Sequence, residues 1–474
     1  MSRLPWTRWS ALACAVLLAG CASPDPDGST TEVTALVRGK TAGVDATMAR
    51  APTEATREAI AALLVPPLSA EAAVRIALLN NPSLQASLAA LDISDADRVQ
   101  AGRVPNPHFA IGRFTEGSKV EIERFLKFDV LGLLTLPWRA RWAGQQSELA
   151  RLQAAQDVVR TAADTRKAWI RAVAAGQTAQ YMRDVKEAAE AGAELARRMA
   201  RVGNWSKLQQ AREQALLADA TAQLARAEQA ALASREQLTR LMGLWGAQAQ
   251  YALPQRLPAL PEALPASTDV EARALRERLD VRAAQLEARF VAQSLGYTRA
   301  TGFINALDIG YGRNTTFNNA NGERETKKGW EVELPLPVFD WGQGRNARAE
   351  GTYLQSVARV RAVAVQARSE AREAWHGWRT AHDLALHYRD EIVPLRKFIN
   401  DEVVLRYNGM LASVWDLLGD VRMNIAAVNS SIDAQRDFWL ADTDLQLVLT
   451  GTSPGGLSAL QAGAPATSSE AKGH

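Results

Sequence analysis

The chain has 474 residues and is 47% hydrophobic but only 6% aromatic, so its apolar content is mostly alanine, leucine and valine, as in packed helices and unlike a sheet sandwich. Its 55 basic and 52 acidic residues leave a net charge of +3 spread along the chain, which excludes the clustered basic footprint of a nucleic-acid-binding protein. No run of about 18 apolar residues follows the N-terminal segment, which excludes a membrane-spanning helix; any passage through a bilayer falls to strands closed into a barrel.

In chain order, residues 1–20 read as a signal peptide: Arg3 and Arg8 precede a short apolar run from Ala11 to Ala19. The run ends in Leu18-Ala19-Gly20-Cys21, which resembles the lipobox of bacterial lipoproteins and makes Cys21 the acylated first residue of the mature chain. Cys14 leaves with the signal, so no internal disulfide is possible, and Ala22 after the cysteine points to the outer membrane. Residues 21–67 read as an extended, acylated tether. A first repeat, 68–253, opens with a helix capped by Ser69 and interrupted at Asn80-Asn81-Pro82. Strands are expected at His108–Phe114 and from Val120 to Val130, joined by a turn at Glu116-Gly117-Ser118. A helix from Arg141 to Arg201, about 90 Å long at about 1.5 Å per residue, then packs through Leu149, Leu152, Val159, Trp169 and Val173. It turns at Val202-Gly203-Asn204 and returns from Ser206 to Leu241.

Pro254, Pro258, Pro261 and Pro265 mark a stiff linker, 254–266, after which the same order repeats over 267–451. A helix is expected from Ser267 to Tyr297, a strand from Phe303 to Tyr311, a polar exposed loop from Arg313 to Lys328, and a strand from Trp330 to Val338. A long helix from Arg345 reaches a tip at Tyr407-Asn408-Gly409-Met410, and a return helix runs to Leu449. The two tips align as Arg201-Val202-Gly203 with Arg406-Tyr407-Asn408-Gly409 if one residue slips. Residues 452–474 read as a disordered tail.

The duplicated order, the Asn-Asn-Pro-Ser-Leu element, the Leu-Pro-Leu-Pro-Val-Phe-Asp-Trp-Gly junction and the Tyr-Asn-Gly tip resemble the outer-membrane efflux protein (TolC) family over nearly the whole mature chain. The match departs from the family at Arg278-Leu279-Asp280, where the usual middle residue is proline, and at Gly302-Phe303-Ile304, where Phe-Pro is usual. The implied fold is mixed α and β with long α-helices predominating: an internally duplicated protomer, four strands per chain, closing as a homotrimer into a twelve-stranded barrel continued by a periplasmic helical tunnel. Edge strands intolerable in lipid point to the same closure. The implied partners are a periplasmic adaptor, a proton-driven inner-membrane pump and outer-membrane lipid.

The resemblance carries roles over to particular residues. Asp416 and Asp420, one turn apart, stand where acids line the family's periplasmic aperture; the alternative is that both complement a helix N-terminus and face water. Val202, Gly203, Asn204 and Ser206, with Tyr407, Asn408 and Gly409, stand where the adaptor docks; the alternative gives the glycines only the left-handed turn. Pro137, Trp138, Pro335, Pro337, Trp341 and Gly342 mark the two barrel–tunnel junctions. There Trp138, Trp142, Trp330 and Trp341 read equally as an interfacial belt or as core packing. His376, His382 and His387 are spaced six and five apart, which is no ligand pair, and read as a solvated face. No metal site, cofactor or catalytic constellation is expected, so the chain is not read as an enzyme.

The expected function is a passive outer-membrane exit duct of a tripartite efflux pump, for small molecules or, from a slight likeness to the heavy-metal branch, metal ions. The alternatives are a duct for type I protein secretion and a periplasmic coiled-coil lipoprotein that forms no pore.

Overall fold

The computed structural model describes residues 26–41, 43–265, 269–301, 307–336 and 338–454, so the expectations at Cys21, Pro337, residues 302–306 and the end of the tail lie outside the described residues. The chain divides into two compact units. One takes the chain up to Glu32 with Ala89–Gln153 and Arg282–Val363; the other takes Val33–Leu88, Ala154–Val281 and the chain from Ala364 on.

The first unit holds the sheet. Strands β1 (His108–Glu116), β2 (Lys119–Asp129), β3 (Asp308–Asn318) and β4 (Glu323–Glu333) are antiparallel and stand side by side in chain order. Gly117 at φ +56° and Gly322 at φ +74° turn the two hairpins. The second hairpin corrects the sequence reading. Of Arg313–Lys328, expected as a loop, only residues 319–322 are a turn; the rest forms the outer halves of β3 and β4, and β4 ends at Glu333 and not at Val338. These strands carry amides, threonines and charges on both faces, so no apolar alternation announces them; pairing along β2 does.

Helix α1 (Pro26–Val37) and helix α2 (Glu54–Leu64) fall inside the segment expected to be extended, and Val33, Val37 and Ile60 are buried. In the first unit the hydroxyl of Ser29 donates to Asp95, which also accepts from Ser147 (2.8 Å) and lies 3.3 Å from Arg151. Burial opposes the Asp95 charge, but these hydrogen bonds and the charges of Arg151 and Arg98 outweigh it and hold the carboxyl below its usual range.

The second unit is helical. Ser69 caps α3 (Ala70–Asn80) by accepting from the Ala72 amide, and Pro82, whose missing N–H costs nothing in a first turn, opens α4 (Pro82–Ala101). The break between them serves a distant helix end. Asn80 donates to the carbonyls of Met242 and Gly243 (3.1 and 2.8 Å) and Asn81 to that of Leu241 (2.7 Å), satisfying the last carbonyl of α7 (Lys207–Leu241) and the two that follow it. A Cβ on Gly243 would overlap the Asn80 carbonyl, so this closure requires glycine. Around it pack Leu68, Ile76, Trp169, Val173, Leu238 and Met242, with the Trp169 indole donating to the Leu68 carbonyl at 2.7 Å.

The second repeat breaks at the same place by different chemistry. The helix expected over Ser267–Tyr297 is two, α8 (Val270–Glu277) and α9 (Leu279–Thr301). Between them the fully buried Arg278 grips Asp280 with two nitrogens (2.9 and 2.6 Å) and Glu370 with a third (2.8 Å). The Leu279 amide donates to the Gly451 carbonyl at 2.9 Å, so the break forms without the proline. After α10 (Gln343–His387), a π turn at Tyr388–Ile392 leads into α11 (Val393–Asn408), which carries Pro394 in its first turn. His382 corrects a second expectation: it is buried, its Nε2 lies 2.8 Å from the Pro261 carbonyl and its ring packs on Phe438. The proline linker is thus fastened to the helices, Pro258 also accepting from Gln435 and Trp439.

Candidate functional site

The strand register sorts the sheet into two chemically different faces, because residues opposite one another on antiparallel strands point the same way. One face carries Glu121, Glu123, Asp129, Asp308, Glu325, Glu331 and Glu333 against few cations. There Lys127 pairs with Asp308 (2.8 Å) and Glu333, Asn314 donates to Glu121 and Glu123, and Phe125 lies over Gly310 and Gly312, where any Cβ would crowd its ring. The opposite face carries Phe109, Ile111, Leu126, Phe128, Ile309, Tyr311, Trp330 and Val332, several of them more than half exposed. Strands β1 and β4 are the edges, each hydrogen-bonded to one neighbour.

The two junctions, expected to be alike, differ. After β2, Asp129 accepts from the Gly132 amide at 2.6 Å and caps a single helical turn, α5 (Val130–Leu134). Thr135 then leads into α6 (Leu136–Arg201), with Pro137 and Trp138 in its first turn. After β4 the chain runs irregularly through Leu334–Leu336; Asp340 accepts from the Gly342 amide at 2.8 Å, and Gly342 at φ +79° starts α10. Trp142 packs edge-on against Tyr297 with centroids 4.8 Å apart, and Trp138 stands 6.0 Å from the same ring; Trp330 and Trp341 stay largely exposed. Leu133, Leu134, Leu336, Val338 and Phe339 are exposed beside them.

The helical tips share one frame. At the first, the Asn204 amide donates to Met199 (3.0 Å) and that of Gly203 to Ala200 (3.2 Å), the Schellman closure of α6 with Gly203 at φ +80°. At the second, the Leu411 amide donates to Arg406 (2.8 Å) and that of Met410 to Tyr407 (3.0 Å), the same closure of α11. Here the left-handed residue is Met410 at φ +59°, while Gly409 has φ −82°. The expected alignment of Gly203 with Gly409 is therefore one residue off. Gly203 and Met410 each stand three residues before an N-cap, Ser206 for α7 and Ser413 for α12 (Val414–Thr450), and both caps form reciprocal capping boxes.

Gln209 completes the first box and Asp416 the second, accepting from the Ser413 amide (2.9 Å) and hydroxyl (2.7 Å). Those bonds, the hydroxyl's first, hold the Asp416 carboxyl below its usual range although it is exposed. Asp420 is 3% exposed and its Oδ2 has no hydrogen-bond partner among the described residues. With the frame aligned, Asp420 answers to Glu213, each seven residues past its serine cap, and Glu213 is buried too, at 7% exposure. Burial pushes the Glu213 carboxyl above its usual range. Glu213 lines an apolar recess with Tyr181, Leu195, Trp205, Tyr407 and Leu417, which brings both tips to one wall. The sequence reading passed over Glu213; the corrected repeat register is the signal that finds it. Among the described residues no group of histidine, cysteine and carboxylate side chains could hold a metal, and no helix is long and apolar enough to cross a membrane.

No protein-family model and no curated protein matches the sequence. Solved structures do. A membrane protein from Pseudomonas aeruginosa is similar with a TM-score of 0.70 at 19% identity, over 80% of this chain and 93% of that one. The CmeC outer membrane channel of Campylobacter jejuni gives 0.69 at 15% identity, over 83% and 88%. The chain has the fold of the outer-membrane efflux channels. CusC, in which conformational changes accompany folding and transmembrane channel formation, matches this fold with a TM-score of 0.67 at 14% identity, over 82% of this chain and 93% of that one. Within this fold the acidic sheet face, the apolar sheet face and the two tips are the elements with distinct chemistry.

Proposed function

We propose that the chain is the passive exit duct of a tripartite efflux pump in the bacterial outer membrane. The observation that carries this reading is the sheet itself: four strands with two raw edges, one exposed apolar face and one acidic face. Such a sheet is stable in lipid only when copies close it, and three copies give a twelve-stranded barrel with the apolar face in lipid and the acids toward water. The likeness to CmeC, an outer membrane channel, supports it.

In this reading Cys21 is acylated and holds the chain at the outer membrane. Pro137, Trp138, Pro335, Pro337, Trp341 and Gly342 carry the wall from sheet to helix. Val202, Gly203, Asn204 and Ser206 with Tyr407, Asn408 and Gly409 receive the periplasmic adaptor of a proton-driven pump, and Met410 and Leu411 join them as exposed apolar contacts. Asp416, which is exposed, lines the periplasmic aperture, where carboxylates repeated about an axis attract cations, while Asp420, expected to share that role, is buried one turn behind it in the single chain. The cargo is a small molecule or metal ion.

The test is a heat-modifiable trimer on gels together with conductance in planar bilayers. A conducting trimer blocked by multivalent cations, with the block relieved by Asp416→Ala, is expected. Neither trimer nor conductance would leave the pore-free coiled-coil lipoprotein.

A further inference from the structure

Every charge on the apolar face of the sheet is basic: Arg113, Arg124, Arg313, Arg324 and Lys328. The register places three of them in one row, Arg124 opposite Arg313 and Arg313 opposite Lys328, with Ile111 completing it on β1. Like charges directly opposite one another are destabilising, and none of the three has a hydrogen bond or ion pair among the described residues. No partner among the described residues compensates them.

We propose that this row binds the phosphate groups of anionic lipid in the outer leaflet. The proposal rests on the duct reading, which turns this face toward lipid. A basic side chain on the lipid face costs about 2–4 kcal/mol at mid-bilayer but about 0–1 near an interface, so depth decides. The adjoining rows fix the depth. Phe109, Leu126, Tyr311 and Trp330 come next toward the junction, with Tyr311 and Trp330 packed at 5.1 Å, then Phe128, Ile309 and Val332. Beyond them in sequence, at the junctions, Leu133, Leu134, Leu336 and Phe339 are exposed apolar side chains. Hydrocarbon therefore lies on the junction side, and the cations stand at the headgroup level toward the hairpin turns. An aromatic row beside a cationic row matches a ligand with acyl chains below and a phosphate above; a guanidinium fork suits that phosphate. A free phosphate would make no use of the apolar row.

The full-length protein is reconstituted in phosphatidylcholine vesicles containing a minor fraction of phosphatidic acid, and the lipid retained after mild detergent extraction is counted by native mass spectrometry. Phosphatidic acid is expected to be enriched over its bulk fraction. Arg124→Gln, Arg313→Gln and Lys328→Gln together should reduce that enrichment by about fivefold per cation, on the order of a hundredfold in all. Trimer and conductance should be unchanged, and Arg124→Lys with Arg313→Lys should keep most of the enrichment. Enrichment that persists in the triple variant, or that inorganic phosphate abolishes in the wild type, overturns the proposal. A wild-type protein that conducts without enriching the lipid overturns it and leaves the duct; one that neither trimerises nor conducts overturns both.

Discussion

The two helical tips close with the same hydrogen bonds and recap with the same serine, yet one puts glycine at the left-handed position and the other puts methionine there. An L-residue in that conformation costs about 1–2 kcal/mol, so the second tip stores strain that the first does not. It also exposes Met410 at 94% and Leu411 at 81%, where the first tip shows Gly203 and Asn204. Duplication preserved the frame and let the surface diverge. A strained, exposed apolar pair is what a tip would keep if a partner covers it, and under the proposed duct reading that makes Met410 and Leu411, with Val202 of the first tip, the apolar side chains to test for adaptor contact.

The largest expected effect tests the buried acids that answer one another across the repeats. Glu213→Leu should stabilise the protein at neutral pH by about 1–3 kcal/mol, because it removes a carboxyl that pays desolvation with no hydrogen bond among the described residues. The sign follows from its raised pKa: the native state binds the extra proton, so the wild type loses stability relative to the variant as pH rises through the Glu213 titration. Thermal unfolding scanned over pH measures this, and a gap that does not grow with pH would mean that Glu213 finds a partner in the assembly.

Next come the left-handed positions, where opposite signs are expected. Gly203→Ala should destabilise by about 1 kcal/mol or more, while Met410→Gly should stabilise by about 1 kcal/mol or less, since added glycine also loosens the unfolded chain. Equal signs in denaturant unfolding would break the comparison. Met410→Gly should also weaken adaptor binding in a pull-down with the cognate adaptor if the exposed side chain is a contact. The caps should be alike: Ser206→Ala and Ser413→Ala each cost about 1 kcal/mol. The smallest effect separates the boxes by pH. Asp416 has a lowered pKa, so its contribution is present above the ordinary aspartate range and lost as pH falls through the folded value, whereas Gln209 does not titrate. Hydrogen exchange should loosen the second tip alone in acid.

Local chemistry was legible without coordinates. Ser69 caps a helix, Gly117 and Gly203 turn the chain, Pro82 interrupts one helix and opens the next, and two repeats follow each other in the same order. Each of these depends on residues a few positions apart, where spacing is the whole signal. The misread elements depend on partners far along the chain. Arg313–Lys328 is strand because β2 and then β3 offer it a ladder, and Arg278 breaks a helix because Glu370 and Gly451 receive what it exposes. His382 is buried because the proline linker crosses it. Even the tip register, short-range as it is, was misjudged by matching glycine to glycine, when the hydrogen bonds match Gly203 to Met410. The sequence by itself determined the cap at Ser69, the helix break at Pro82, the turns at Gly117 and Gly203 and the repeated order of elements, because capping and turning are settled within one turn of chain. Only the tertiary structure decided which polar residues are buried and which charges share a face, because desolvation and strand pairing depend on what arrives from elsewhere in the chain.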